Sequence, residues 1–358
     1  MTPLAGILAA RIAATGPISI AEYMAECLMH PRHGYYSTRD PFGQAGDFTT
    51  APEISQMFGE LIGLFLARCW LDQGRPDPFV LAEIGPGRGT LMADALRAMR
   101  TVPGLVDAAR LHLVETSPTL RARQAATLGA AVTAWHDRVE DLPDGPLYLV
   151  ANEFFDALPI RQFLRSGSGW RERHVTVAEG QLAPAFGPET RYGDLTARLA
   201  DMDEGGMVET CPAMPAIATE IARRIAAHGG VALAIDYGGW PSRGDTLQAL
   251  RAHRFEDPFA TPGEADLTAH VDFAALAAAF RGAGCGVSAM TPQGAFLNRL
   301  GIAERTEALA RNLGGAALQS HLAAHRRLTD AEEMGQLFKV LACYPAGNAT
   351  PPGLDPMR

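Results

Sequence analysis

One lysine, Lys339, stands among the 31 basic residues of this 358-residue sequence, and the net charge is -9. That balance argues against a surface that binds nucleic acid backbones, which needs a basic face to neutralise phosphates. It is compatible with a cationic substrate. Arginine supplies nearly all of the positive charge, and the accompanying wealth of alanine and glycine ties this to genome composition rather than to mechanism. Cysteine is scarce too: the five thiols, Cys27, Cys69, Cys211, Cys285 and Cys343, include no C-x-x-C pair and no His/Cys cluster at ligand spacing. No metal centre is therefore expected, and the cysteines read as reduced thiols of a cytosolic protein. The opening Met1-Thr2-Pro3-Leu4-Ala5-Gly6 lacks the basic and then apolar stretches of a secretory signal. No apolar run approaches the length that crosses a bilayer; the longest candidate, Leu61 to Ala67, belongs to an amphipathic helix, so no stable membrane insertion is expected.

What the chain does have is apolar bulk, 47% hydrophobic against 20% charged residues, enough for one enlarged domain or for two. Its most informative stretch is Val80-Leu81-Ala82-Glu83-Ile84-Gly85-Pro86-Gly87-Arg88-Gly89-Thr90. An apolar run ending in an acid and then alternating glycines reads as a buried parallel strand, a tight turn that lets a ligand approach the backbone, and a helix. The dinucleotide fingerprint is G-x-G-x-x-G, whereas the pattern here is G-x-G-x-G with Glu83 two residues ahead of it. This spacing resembles the first motif of S-adenosylmethionine-dependent methyltransferases. Their ligand presents an ammonium, suited to Glu83, and a ribose whose hydroxyls need a second acceptor. Such an acceptor closes the next apolar run, Leu111-His112-Leu113-Val114-Glu115, ahead of a Ser-Pro helix start. The glycine loop alone reads equally well as an ordinary strand-to-helix turn; the two placed acids, Glu83 and Glu115, favour a ligand.

From residue 79 to about 158 strands and helices alternate: Phe79 to Ile84, Thr90 to Met99, Leu111 to Glu115, Thr119 to Leu128, Ala131 to Trp135, Leu147 to Ala151, then a helix from Phe154. The fold class this implies is α/β, a doubly wound parallel sheet of the Rossmann-like kind with ligands at the carboxyl ends of its strands. Upstream, Ser19-Ile20-Ala21-Glu22 is a capping box, and a polar-aromatic loop with His33, Tyr35 and Tyr36 follows. Gly46-Asp47-Phe48-Thr49-Thr50-Ala51-Pro52-Glu53 leads into a long helix with Pro52 in its first turn. Ile54, Met57, Phe58, Leu61, Ile62, Phe65, Leu66 and Cys69 form a stripe that must pack on the sheet or its flanking helices. Residues 1–78 thus read as an N-terminal helical extension and lid, and 79–358 as the catalytic domain, with a hairpin-containing insertion at about 160–210. Ile160 to Arg165 and Trp170 to Val177 make the hairpin, and Ala178 to Gly206 reads as lying outside any sheet. A helix over Pro215 to Ala227 and a strand over Val231 to Ile235, ending in Asp236-Tyr237-Gly238-Gly239, resume the doubly wound pattern. The remainder reads as mostly helix, with a last strand at Leu337 to Ala342 and a disordered Pro-rich tail over 345–358.

Ala151-Asn152-Glu153-Phe154-Phe155-Asp156-Ala157-Leu158-Pro159 follows the fourth strand, where such a fold places reacting groups. A plain account has Asn152 capping a helix whose positive end favours Glu153 and Asp156. The functional account has the two carboxylates facing a reactive methyl group and clamping a guanidinium. Asp137, after the third strand, is a candidate acceptor for an adenine amino group or else a solvated loop acid. Asp236 at a strand end and His33, Tyr35 and Tyr36 border the substrate or simply pack.

These motifs together resemble the MidA-like methyltransferases. The resemblance rests on His33-Gly34-Tyr35-Tyr36, Gly46 to Gly59, Glu83 to Thr90, Asn152 to Pro159 and Ile235-Asp236-Tyr237-Gly238, and covers most of the chain. It implies a class I methyltransferase fold that uses S-adenosyl-L-methionine. It further implies symmetric dimethylation of an arginine in a respiratory complex I subunit, in aid of complex assembly, here by a bacterial cytoplasmic member. The residues expected to hold the cofactor are Glu83, Gly85, Pro86, Gly87, Gly89, Glu115, Asp137 and Asn152, with Thr50, Pro52 and Glu53 as a lid. Glu153, then Asp156, are expected to recognise the guanidinium. A small-molecule methyltransferase and a non-catalytic assembly chaperone that retains the fold stay open as alternatives.

Overall fold

Glycine loops of this kind need a buried strand to enter from, and the strand Phe79–Ile84 is buried at every position. The structure, a computed structural model, describes residues 2–38 and 49–357. It divides into two compact units, one of residues 1–48, 155–215 and 239–274 and the other of 49–154, 216–238 and 275–358. The Gly46, Asp47 and Phe48 of the second N-terminal motif lie outside the described residues.

The second unit is built on a sheet with the strands β1 (Phe79–Ile84), β2 (Ala109–Val114), β3 (Val132–His136), β4 (Leu147–Asn152), β5 (Gly230–Gly239), β6 (Cys285–Val287) and β7 (Phe338–Pro345). Their order across the sheet is β3-β2-β1-β4-β5-β7-β6. The first five run parallel, and β7 runs antiparallel to both of its neighbours. The expected doubly wound sheet is therefore present. Its order reverses between β1 and β4, and ligands in open α/β sheets bind at the carboxyl ends of the strands beside such a reversal. β1 and β4 are apolar except for Glu83 and Asn152 near their carboxyl ends and are buried throughout, because both of their faces are covered.

The helix Thr90–Met99 has the expected bounds and packs against the helix Gln56–Asp72. Two glycines set that contact. A Cβ on Gly59 would come within 2.6 Å of Asp94, and one on Gly63 within 2.5 Å of the Ala95 carbonyl oxygen. Met57, Phe58, Leu61, Ile62, Phe65, Leu66 and Cys69 of the expected stripe join the main core, with the β1 and β2 residues Leu81, Leu111 and Leu113. This places the long helix with the sheet rather than with an N-terminal extension, since its apolar face has no other core to fill. The helix is also not continuous with Pro52. Residues Ala51–Ile54 form one turn of their own, and Ser55 interrupts at φ -159° and restarts the helix by accepting the Met57 N–H.

The first unit holds the N-terminal helices Pro3–Thr15 and Ile20–Met29, the second opened by the expected Ser19/Glu22 capping box. It also holds the expected hairpin, Arg161–Ser166 with Gly169–Ala178. Residues 178–206, expected to lie outside any sheet, contribute the strand Gln181–Thr190, which pairs along nearly all of Gly169–Ala178. The segment after Gly239, expected to be helical, carries a three-stranded sheet of Gln248–Arg251, Arg254–Glu256 and Asp266–Thr268. Strands of three and four residues are too short to show an alternation.

Two further expectations give way. No helix starts at Phe154: Glu153 takes φ +52°, turning the chain out of the sheet direction, and residues 153–160 form turns. Pro159 would have broken a helix begun there within its second turn. The Pro-rich tail is packed, not disordered. Leu354 is buried in the main core, and Asp355 pairs with Arg299 at 2.9 Å. One apolar residue at the right distance from the last strand suffices to dock it.

Since the 56–72 and 90–99 helices touch through glycine, Gly63→Val is expected to lower the unfolding free energy by about 1–3 kcal/mol or more. Gly6→Ala, in a helix where a Cβ meets nothing within 4 Å, is expected to be neutral or to stabilise by about 0.5–1 kcal/mol. Urea midpoints of the two variants check this; equal midpoints would contradict the packing argument.

Candidate active site

Gly85, Gly87 and Gly89 all lie in the left-handed region, at φ 66°, 53° and 80°. Substitution is opposed by space as well as by conformation, because a Cβ on Gly85 or Gly89 would come within 3.0 Å of Phe154 or Leu128. The loop is closed by the Gly89 N–H donating to the Pro86 carbonyl at 2.8 Å, and tied to β2 by the Gly85 N–H donating to Val114 at 3.1 Å. Backbone thus forms the floor of the site, and the helix starting at Thr90 points its positive end at it.

Glu83, near the end of β1, is only 3% exposed, and its Oε2 is buried with no hydrogen-bond partner. Burial pushes its carboxyl up from the ordinary 4.5 to about 8. A buried carboxylate is stable only beside a cation or several donors, so its ionised form needs one, and a ligand ammonium would serve. Glu115 lies one residue beyond β2. Its Oε1 accepts the Ser117 N–H at 2.8 Å and its Oε2 the Gln124 amide at 3.3 Å, while its backbone N–H donates to His136 at 2.9 Å. Burial raises its carboxyl as well, against those hydrogen bonds. The carboxylate keeps lone-pair capacity for a hydroxyl donor.

On the other side of β1, Asn152 ends β4 and Glu153 leaves it. The Glu153 N–H donates to the Ile235 carbonyl at 2.9 Å, and its Oε1 accepts from Asn152 Nδ2 at 3.0 Å and from the Ala51 N–H at 3.4 Å. Asn152 therefore holds a carboxylate rather than capping a helix, and its own Oδ1 is buried without a partner. The turn of helix at 51–54 is tied down: Glu53 accepts the Thr90 hydroxyl at 2.5 Å and lies 4.0 Å from Arg88. Thr50 and Pro52 are buried beside it. Where a lid was expected, these residues form a wall fastened to the helix behind the glycine loop.

The sheet unit thus brings together Glu83, Gly85, Pro86, Gly87, Gly89, Glu115, Asn152, Glu153, Thr50, Pro52 and Glu53. Asp137 stands apart, its side chain 71% exposed and paired with Arg121 at 2.6 Å. Asp156 belongs to the other unit, where it is buried and its backbone carbonyl accepts the Ala269 N–H at 3.0 Å. In that unit Tyr35 is a core residue and the Tyr36 hydroxyl donates to Asp266 at 2.9 Å. Asp236 is buried within β5, three residues before its end, and accepts the Tyr237 N–H. Sequence reasoning missed Gln124, which is wholly buried and touches both the glycine loop and Glu115. The signal was present: Leu120, Gln124 and Leu128 share one helix face at four-residue steps, and a glutamine there interrupts an apolar stripe.

Glu83 also predicts a pH effect on stability. Its folded-state pKa lies above its unfolded value, so its contribution to stability is fully present below pH 4.5 and lost as pH rises through about 8. Across that window the wild-type chain without ligand is expected to lose up to about 1.4 kcal/mol per pH unit relative to Glu83→Gln. Urea unfolding at several pH values checks it, and parallel profiles for the two chains would contradict it.

A buried acid awaiting an ammonium, a second acid with free lone pairs and a glycine floor fit S-adenosylmethionine. The comparisons with known proteins agree. A family model for S-adenosyl-L-methionine-dependent methyltransferases matches residues 61–291. The chain is 36% identical to "Protein arginine methyltransferase NDUFAF7, mitochondrial" of Xenopus tropicalis, over 94% of this chain and 84% of that one. With the human protein of the same name the identity is 35%, over 96% and 84%. A Burkholderia thailandensis protein crystallised with S-adenosyl-homocysteine superposes with a TM-score of 0.83 at 32% identity, covering 98% of this chain and 93% of that one. The chain belongs to the S-adenosylmethionine-dependent methyltransferase family, and S-adenosylmethionine is its cofactor.

Proposed function

We propose that this enzyme methylates an arginine side chain of a protein, that the acceptor belongs to a respiratory complex I subunit, and that the product is symmetric dimethylarginine. The relatives named as protein arginine methyltransferases support the acceptor type. The observation that carries the reading is Glu153, a carboxylate turned out of the end of β4 by a positive φ and held by Asn152 and the Ala51 N–H. In this reading Glu83 receives the cofactor ammonium and Glu115 the ribose hydroxyls. Gly85, Pro86, Gly87 and Gly89 let the ligand approach the backbone, with Thr50, Pro52, Glu53 and Asn152 bordering it; Asp137, exposed and paired with Arg121, is the outlying candidate for the adenine amino group. The bound cofactor supplies a methyl group on a sulfonium.

Glu153 does three things for the acceptor. It pairs with the guanidinium through two parallel hydrogen bonds, fixes one nitrogen in line, and takes the proton that this nitrogen sheds as it becomes alkylated. A guanidinium keeps its proton to about pH 12.5 or above, so the proton is lost late rather than removed beforehand. Asp156 is the second candidate for guanidinium recognition. A net charge of -9 suits a cationic acceptor. No helix among the described residues is long and apolar enough to cross a membrane. We place the reaction in the bacterial cytoplasm, where five free cysteines stay reduced.

Glu153→Gln is expected to slow methyl transfer by about a hundredfold or more while S-adenosylhomocysteine binding stays within a few-fold of wild type. In cells, mass spectrometry of complex I subunits with and without the gene should show the loss of one dimethylarginine. Label from the cofactor appearing only in small metabolites, or a Glu153→Gln chain that sustains full cellular function, would overturn the reading.

A further inference from the structure

We propose that Gln124 is a positioning residue for the cofactor, holding the glycine loop and the ribose-facing carboxylate of Glu115 in one fixed geometry. The inference rests on the assignment of Glu115 to the ribose. Gln124 lies in the middle of the helix Pro118–Leu128 and has no exposed surface. All of its amide is used. Nε2 donates to the Gly87 carbonyl at 2.8 Å and to Glu115 Oε2 at 3.3 Å, and Oε1 accepts the Trp135 indole N–H at 2.8 Å.

The orientation of this amide follows from chemistry. An indole nitrogen only donates, so the amide oxygen must face Trp135. The NH2 group is then left to the two acceptors, a carbonyl and a carboxylate, which would repel anything but a donor. Trp135 sets the sense of the amide, and the amide sets the distance between the loop after β1 and the acid after β2. No other amide side chain among the described residues bonds both of these segments. Leucine would fill the same volume, as it does one turn away on either side at Leu120 and Leu128. The glutamine is therefore explained by what it bonds rather than by the space it occupies.

A residue that merely filled the core would affect stability without discriminating between ligands. A residue that aims Glu115 affects the part of the affinity that comes from the ribose hydroxyls. The test measures binding of S-adenosylhomocysteine, and of its analogues lacking the 2′- or the 3′-hydroxyl, to the full chain and to Gln124→Leu and Gln124→Glu, by calorimetry. Wild type should prefer the full ligand, because a site built for a hydroxyl rejects an analogue without it. Both variants should bind the full ligand about tenfold more weakly, as expected for losing a buried hydrogen bond to a charged group. They should lose most of the discrimination against the deoxy analogues. Trp135→Phe, which keeps the NH2 group but frees the amide to flip, should show the same loss in weaker form.

A wild-type chain that does not distinguish the analogues overturns the Glu115 assignment and, with it, the role of Gln124. A wild-type chain that distinguishes them, with Gln124 variants that do so equally well, overturns the Gln124 inference alone. Failure of both Gln124 variants to fold, judged by near-ultraviolet circular dichroism, also overturns it, in favour of a purely structural role.

Discussion

The structure depends on one buried carboxyl, Glu83, set on the innermost strand of a parallel sheet with nothing of the described chain bonded to its Oε2. Left ionised it opposes folding, and left neutral it contributes little to binding. In the proposed reading the conflict is resolved by a cation brought from outside, the cofactor ammonium. That requirement explains why the neighbouring backbone is glycine. Side chains at Gly85 and Gly89 would enter the space of Phe154 and Leu128, and any Cβ would resist the left-handed turns that bring a ligand down onto the strand end.

Around this point the sheet order does the rest. β1 sits between β2 and β4, so the acid after β2 and the acid after β4 fall on opposite sides of the same loop. Glu115 is braced by Ser117 and Gln124, and Glu153 by Asn152 and the Ala51 N–H. The wall at 51–54 is fixed in turn by Glu53 to Thr90, on the helix that the glycine loop begins. The same helix meets 56–72 across Gly59 and Gly63. The 90–99 helix consequently joins the cofactor floor, the turn at 51–54 and the core packing, through Gly89, the Glu53 to Thr90 hydrogen bond and the Gly59/Gly63 contact.

What could be read from the sequence follows a physical rule. β1 and β4, apolar but for Glu83 and Asn152 and buried at every position, and the 90–99 helix, bounded by Gly89, were legible because strong local signals agreed with the tertiary environment. The glycine spacing with Glu83 and Glu115 pointed to the cofactor for the same reason. Legibility failed where tertiary contacts decided. Ser55 breaks a helix that periodicity runs through, and Glu153 turns out of a segment that composition reads as helical. A single buried residue, Leu354, orders a tail whose prolines suggested disorder. Gln124 interrupts the Leu120/Leu128 face, but that break gains its meaning only once its three partners, from three separate segments, are known.

The central claim, that Glu83 is a neutral acid in the free protein and becomes the counter-ion of the cofactor ammonium, is tested most directly by proton counting. Titration calorimetry of S-adenosylhomocysteine binding at pH 6.5, in buffers of different ionisation enthalpy, gives the number of protons exchanged. The account predicts release of about one proton per ligand bound, lost when Glu83 is replaced by glutamine. Binding of the same ligand with no net proton release at that pH would contradict it.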